Sequence, residues 1–123
     1  PQRFAMVRDA LDEARAAAPI DGVFATDDLA AAEVLEWART RNLSVPTDLS
    51  IIGFDGTETM RRALPHLATI RQPIEEIARA AVSILLDQIE GKAPRSSSDE
   101  AGAPHAQTVE FSGTLIQGRS INA

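Results

Sequence analysis

Apolar residues recur along this chain with two different spacings, and the spacings divide it into strands and helices. The clearest run is Leu49-Ser50-Ile51-Ile52-Gly53-Phe54-Asp55-Gly56, almost wholly apolar, with two β-branched isoleucines and a stop at glycine. Such a run reads as a strand buried on both faces, the kind found inside a parallel sheet. Gly22-Val23-Phe24-Ala25 has the same grammar and runs into Thr26-Asp27-Asp28. Between the two, Leu29, Ala32, Leu35 and Ala38 or Trp37 recur at helical steps and predict a helix over about 29–41. Arg39 and Arg41 fall in its last turn, where the helix dipole favours cations, and Asn42 suits a left-handed residue beyond it. Strand, helix and strand with short links make a βαβ unit with a right-handed crossover.

Upstream, Phe4, Val7, Leu11, Ala14 and Ala18 are three and four apart, mostly with charged residues between them, and predict a helix over 4–18 that Pro19 stops. Downstream, Thr57 reads as the N-cap of a short helix over 57–64, ended by Pro65, and Leu67-Ala68-Thr69-Ile70 reads as extended. Pro73 suits the first position of the longest helix, 73–90, with Glu75 and Glu76 in its positive first turn. Ile74, Ile77, Ala78, Ala81, Leu85 and Ile89 form its stripe. Val82 and Leu86 widen that stripe and imply cover on more than one side. Residues 92–107 have the composition of a loop. Part of Val109–Ile116 alternates like a half-exposed strand, and 117–123 reads as a frayed tail. The predicted fold class is α/β, a parallel β-sheet with flanking helices. Two strong strands and two weak ones fall short of the roughly four to six usual in such sheets, so the sequence reads as a fragment whose missing strands precede Pro1.

Composition changes this picture in one respect, the partners it disfavours. The formal net charge is −6, whereas a nucleic-acid-binding domain usually carries a basic patch. This stretch by itself is a poor candidate for gripping phosphates. With no cysteine, a disulfide framework and a thiolate metal site are excluded, which fits a reducing compartment. No apolar run approaches the roughly 20 residues that span a bilayer, and the N-terminus lacks the apolar core of a signal peptide.

Candidate chemistry concentrates in Asp27, Asp28 and Asp55, acids at the ends of the two strong strands. If those strands are neighbours, the acids share the rim where ligands of open α/β sheets sit. Three readings compete. The ordinary one makes Asp27 or Asp28 a helix cap and Asp55 a turn residue. A second is a carbohydrate or polyol site, since a carboxylate accepts hydrogen bonds from adjacent hydroxyls. Phe54 or Trp37 could stack on a sugar face there, although Trp37 suits the core better. A third is a magnesium-dependent phosphotransfer site of receiver type, with the acids holding a hard cation. That chemistry wants a lysine at a later strand end, and the one lysine, Lys92, falls in the loop. His66 and His105 have no evident Ser or Asp partner, and Gly53 and Gly56 make no phosphate-binding glycine loop. No catalytic residue, metal ligand or cofactor is assigned.

Three segments also match a known pattern. Val23 to Ala31 resembles the "FAxND-x-x-A" segment of the lactose-repressor (LacI/GalR) family of bacterial transcription regulators. Val45 to Asp55 resembles that family's "VPxDvSvvGFD", and Leu64 to Pro73 its "PPLTTvrQP". The resemblance runs in order from about Asp21 to Gly91, and Thr114-Leu115-Ile116 with Arg119-Ser120 is more loosely similar to the family's final strand. It implies a periplasmic-binding-protein-like effector domain of two α/β lobes. Residues 1–70 would belong mainly to the C-terminal lobe, 71–107 to the N-terminal lobe, and 108–123 to the final strand and tail. It also implies a helix-turn-helix DNA-binding domain upstream, and a cytoplasmic homodimer with no membrane contact. The family's cleft residues map to Asp27, where Asn is usual, and to Asp55, with Phe54 beside it. A carboxylate at position 27 would favour hydroxyl or amine donors and disfavour an anionic effector. The implied dimer surfaces lie on 29–41 and 57–64, with Leu29, Ala32, Glu33, Glu36, Met60, Ala63 and Leu64 as contacts. The solute-binding protein of a sugar transporter is the alternative of the same fold.

Overall fold

The computed structural model describes residues 2–92 and 108–122, with side chains from Ala5 onward. The expected loop over 93–107, His105 and the Phe4 side chain lie outside the described residues. Two compact units emerge, one of residues up to Gln72 together with Gly113 onward, the other Pro73–Ser112.

The first unit carries the sheet. In chain order it holds α1 (Gln2–Ala17), β1 (Gly22–Phe24), α2 (Asp28–Thr40), β2 (Ser50–Asp55), α3 (Glu58–Ala63), β3 (Ala68–Arg71) and β4 (Thr114–Ile116). The sheet order is β1-β2-β3-β4. β1 and β2 pair in parallel with Phe24 opposite Ile52, and β2 and β3 pair in parallel with Asp55 opposite Arg71. β4 closes the other edge antiparallel to β3. It is shorter than the sequence suggested, three residues rather than a run from Val109.

The face that α2 turns inward is the expected one at Trp37 and Ala38, with Leu35 packed partly buried against the core, but not at Leu29. Ala30, Ala31, Val34, Trp37 and Ala38 are buried, whereas Leu29 is 47% exposed and Ala32 and Leu35 are half-buried. The cause lies at the helix start. Asp28 is turned into the protein, and the positions two to three, six and nine to ten residues on follow it around the helix. Alanine pairs on that face let the backbone come close to the sheet, and Trp37, Leu49 and Ile51 fill the remaining core.

α1 packs on α2 through Val7 and Leu11, as its spacing predicts. A polar contact joins them. Asp12 accepts from the Trp37 indole N–H at 3.0 Å and from the Arg41 guanidinium, which also stacks over the indole at 5.2 Å. Arg8 pairs with Glu33 across the same seam at 3.1 Å.

The C-terminal segment is built in, not frayed. Ser120 Oγ donates to the Ile51 carbonyl (2.6 Å) and accepts from the Ala68 amide (2.8 Å), and the Arg119 amide donates to the His66 carbonyl (2.8 Å). Backbone groups at the starts of β2 and β3 need partners once buried, and this segment supplies them. Gly118 passes so close to the backbone of residues 66–68 that a side chain there would collide.

The second unit, described by itself, is dominated by α4 (Ile74–Ile89). Pro73 sits at its N-cap position instead of its first turn, one residue earlier than the sequence suggested. The wide apolar stripe implied cover on more than one side, yet no α4 residue is buried. Ile74, Val82, Leu85, Leu86 and Ile89 are each at least half exposed. Among the described residues no helix is long and apolar enough to cross a membrane.

Candidate functional site

The carboxyl ends of β1, β2 and β3 place the three acids and Gln72 on one rim of the sheet, with Thr69 further back in β3. Each acid has a different task. Asp27 is the N-cap of α2 and accepts from the Ala30 amide at 2.7 Å, as expected of an acid one residue before a helix. Its side chain is half-buried.

Asp28 is 2% exposed. One of its oxygens accepts from the Thr69 hydroxyl at 2.5 Å and the other from the Gly56 amide at 2.9 Å. It therefore ties the start of α2 to the turn after β2 and to β3. Gly53 makes the room, since a Cβ there would overlap Asp28 Oδ1 and stand 3.1 Å from Leu67 Cδ2.

Asp55 ends β2 with φ at 106°, and Gly56 follows at 61°. Glycine takes such angles freely, but for an aspartate the first is a strained conformation. Contacts from both sides hold it. Asp55 Oδ1 accepts from Gln72 Nε2 at 2.6 Å, its carbonyl accepts from the Gln72 amide at 3.2 Å, and the Gly56 amide is fixed by Asp28. Close approach of the Arg71 Cα and Cβ to Gly56 leaves no space for a side chain there.

Phe54 is half-buried and meets the exposed Phe24 edge-on, with ring centroids 6.2 Å apart at 80°. Alternation along β2 puts both rings on the Ile52 face, opposite the face on which Ile51 and Gly53 meet α2. The structure thus groups Asp27, Asp28 and Asp55 at the strand ends and sets Phe54 with Phe24. Trp37 is fully buried in the core. Among the residues named as dimer contacts, Leu29 and Ala63 are exposed, while Ala32, Met60 and Leu64 are half-buried. Glu33 and Glu36 are engaged with Arg8 and Arg39 on their own chain.

A hollow lies elsewhere in the first unit, at the start of β3. It encloses about 450 Å³ between Leu35, Val45, Leu64, His66, Leu67 and Arg119, and none of the acids lines it. Among the described residues no group of three His, Cys, Asp or Glu is disposed to hold a metal ion.

Two polar residues escaped the sequence reading. Gln72 lies within the quoted "RQP" segment without a role of its own. Thr69 was read as part of an extended run. The available signal was alternation: Thr69 and Arg71 share one face of β3, so a hydroxyl there had to find a partner if that face was buried.

The sequence profile of the periplasmic binding protein-like domain matches residues 1–121. The sucrose operon repressor of Streptococcus mutans is 43% identical over 70 residues, 57% of this chain and 22% of the relative. The HTH-type transcriptional repressor CytR of Escherichia coli is 44% identical over 80 residues, 65% of this chain and 24% of the relative. The chain thus spans about a quarter or less of these relatives' length. The crystal structure of a LacI family transcriptional regulator from Arthrobacter in complex with lactose superposes with a TM-score of 0.71 at 28% identity, covering 94% of this chain and 40% of that one. With the profile matched over nearly its whole length and the three sequence motifs falling on β1, β2 and β3, the chain belongs to the periplasmic binding protein-like family, and within it is similar to part of several transcriptional repressors.

Proposed function

We propose that this chain is the effector-sensing and dimerising part of a LacI-type transcriptional repressor. It binds a small polyhydroxy ligand at the strand-end rim and passes the binding state to a helix-turn-helix outside the sequence given. The observation that carries this is Asp55, an acid held in a strained backbone at the carboxyl end of a central parallel strand. Strained residues persist where the surrounding structure over-determines them, and they cluster at ligand clamps. Asp55 and Gln72 offer adjacent acceptor and donor groups, the pairing that vicinal hydroxyls recognise. Asp27 contributes a carboxylate where the family usually has Asn, which favours a neutral or cationic ligand over an anionic one.

Residues 1–70 serve as most of the C-terminal lobe and 71–107 as part of the N-terminal lobe, with 108–123 returning as the final strand and tail. Ligand favours one of two states of the regulator, and DNA affinity follows from that differential affinity. Leu29 and Ala63, exposed on α2 and α3, with Met60 and Leu64 beside them, serve the homodimer, and the protein works in the cytoplasm. The phosphotransfer alternative is disfavoured because Asp28, one of its three acids, is buried with both oxygens committed.

Calorimetric titration of the intact regulator with sucrose and with lactose tests the site. Binding of either sugar that Asp55→Ala weakens at least about tenfold, the worth of one hydrogen bond to a charged group, is the expected result. Unchanged affinity in that variant refutes the assignment. Asp27→Asn keeps the cap and removes the charge, so equal affinity there denies the charge a role in selectivity.

A further inference from the structure

We propose that Asp28 is the positioning residue of the rim, a buried clamp that sets the geometry of Asp55 without touching ligand. The inference rests on the reading of the rim as an effector site. Burying a carboxylate is unfavourable unless its oxygens are well bonded, and capping does not account for this one. Asp27 already caps α2 through the Ala30 amide. The oxygens of Asp28 go instead to two other elements, one at the residue after Asp55 and one on the strand that leads to Gln72. The Gly56 amide, held at 2.9 Å, follows Asp55 directly. Thr69, held at 2.5 Å, is three residues before Gln72 on the strand that leads to it.

The local sequence is shaped to admit the carboxylate. Gly53 leaves out the Cβ that would displace Oδ1, and Ala31, on the same helix, is the neighbour nearest that gap after Leu67. Asp55 and Gly56 both have positive φ. Two such residues in a row do not hold their conformation unaided, and the Asp28–Gly56 bond on one side and the Gln72 bonds on the other supply the restraint. Asp28 therefore acts through Asp55 and Gln72. It fixes the distance between the acceptor on β2 and the donor after β3, on which recognition of a pair of hydroxyls depends.

Amide hydrogen exchange followed by NMR in the intact chain, with the Val34 amide of α2 as internal reference, tests this without any ligand. Asp28→Ala is expected to speed exchange at Gly56 about tenfold or more relative to Val34, as loss of a bond to a charged acceptor implies. Gly53→Ala is expected to do the same by evicting the carboxylate. Asp28→Asn can accept from Gly56 and donate to Thr69 Oγ1, and should stay within about threefold of the parent. Affinity for sucrose or lactose, whichever the parent binds, should fall in the first two variants and return in the third. A merely structural role would move Val34 and Gly56 together and leave Asn no better than Ala; either result overturns the clamp. Should Asp28→Ala fail to fold, Thr69→Val carries the test: Gln72 exchanges faster while Gly56 stays protected, and equal effects at both sites refute the proposal. A parent that binds neither sugar counts against the effector reading alone, because exchange at Gly56 still decides the clamp.

Discussion

Asp55 allows backbone strain to be measured by a reversal of sign. At an ordinary strand position, glycine is less stable than alanine by roughly 0.5–1 kcal/mol, because glycine loses more chain entropy on folding. At φ 106° the order should invert. Asp55→Ala and Asp55→Gly both lose the 2.6 Å bond from Gln72 Nε2, so that contribution cancels between them. Alanine retains the strain of a Cβ in this region, roughly 1–3 kcal/mol, and glycine does not. Setting the strain against the entropy leaves Asp55→Gly more stable than Asp55→Ala by up to about 2.5 kcal/mol, about 1 kcal/mol at mid-range. With a urea slope of about 1–3 kcal/mol per molar for a domain of this size, that mid-range difference separates the two unfolding midpoints by roughly 0.3–1 M. Circular dichroism at 222 nm across a urea series reads this directly. Equal midpoints, or alanine above glycine, would mean that the turn is relaxed, and the case for Asp55 as a held ligand group would lose its physical basis.

Three further outcomes follow from the packing. Leu49→Ala empties a fully buried site and should cost about 2–5 kcal/mol in chemical denaturation. Asp27→Ala removes the α2 cap and should cost about 1 kcal/mol, whereas Asp27→Asn, an equally good cap, should be neutral. The Asp12 carboxyl lies below its ordinary range, first because Arg41 hydrogen-bonds it and then because the Trp37 N–H does. A depressed carboxylate contributes stability that is present above its ordinary value and lost as pH falls through the folded one. The unfolding midpoint of the parent should therefore drop more steeply below about pH 4 than that of Asp12→Asn, and parallel acid limbs would refute the linkage.

The parts of the fold legible in sequence were those where one local rule sufficed. The β-branched run from Leu49 to Gly56 announced β2, Pro19 and Pro65 follow the ends of their helices, and Thr57 capped α3 as its position implied. The inward face of α2 was only partly legible: Trp37 reads as core and is buried, but three of the other inward residues are alanines, and the large apolar Leu29 looks the better core residue. That inward face also carries an acid, Asp28, which an apolar pattern does not reveal. The C-terminal anchor at Ser120 was equally hidden. Its partners, Ile51 and Ala68, are remote in sequence, and a serine hydroxyl carries no periodicity.

Asp27 and Asp28 show why the site itself was harder to read than the sheet. Adjacent in sequence and identical in chemistry, they compete for one cap, and sequence could say only that one of them takes it. The structure divides the work by direction. The side chain before the helix folds back over its own amides, and the next one, inside the first turn, points about 100° further round the axis and into the protein. Only there can a carboxylate reach β2 and β3 together, and only because position 53 is glycine. An aspartate at 28 and a glycine at 53 are thus one feature written in two places. Replacing either should disturb the same bonds, to Gly56 and Thr69, and replacing both should do little more harm than replacing one. A double variant, Asp28→Ala with Gly53→Ala, should therefore lose markedly less stability than the two single losses added together, as coupled neighbours do. Simple additivity in urea unfolding would show that the two residues act independently and that the rim is not held in this way.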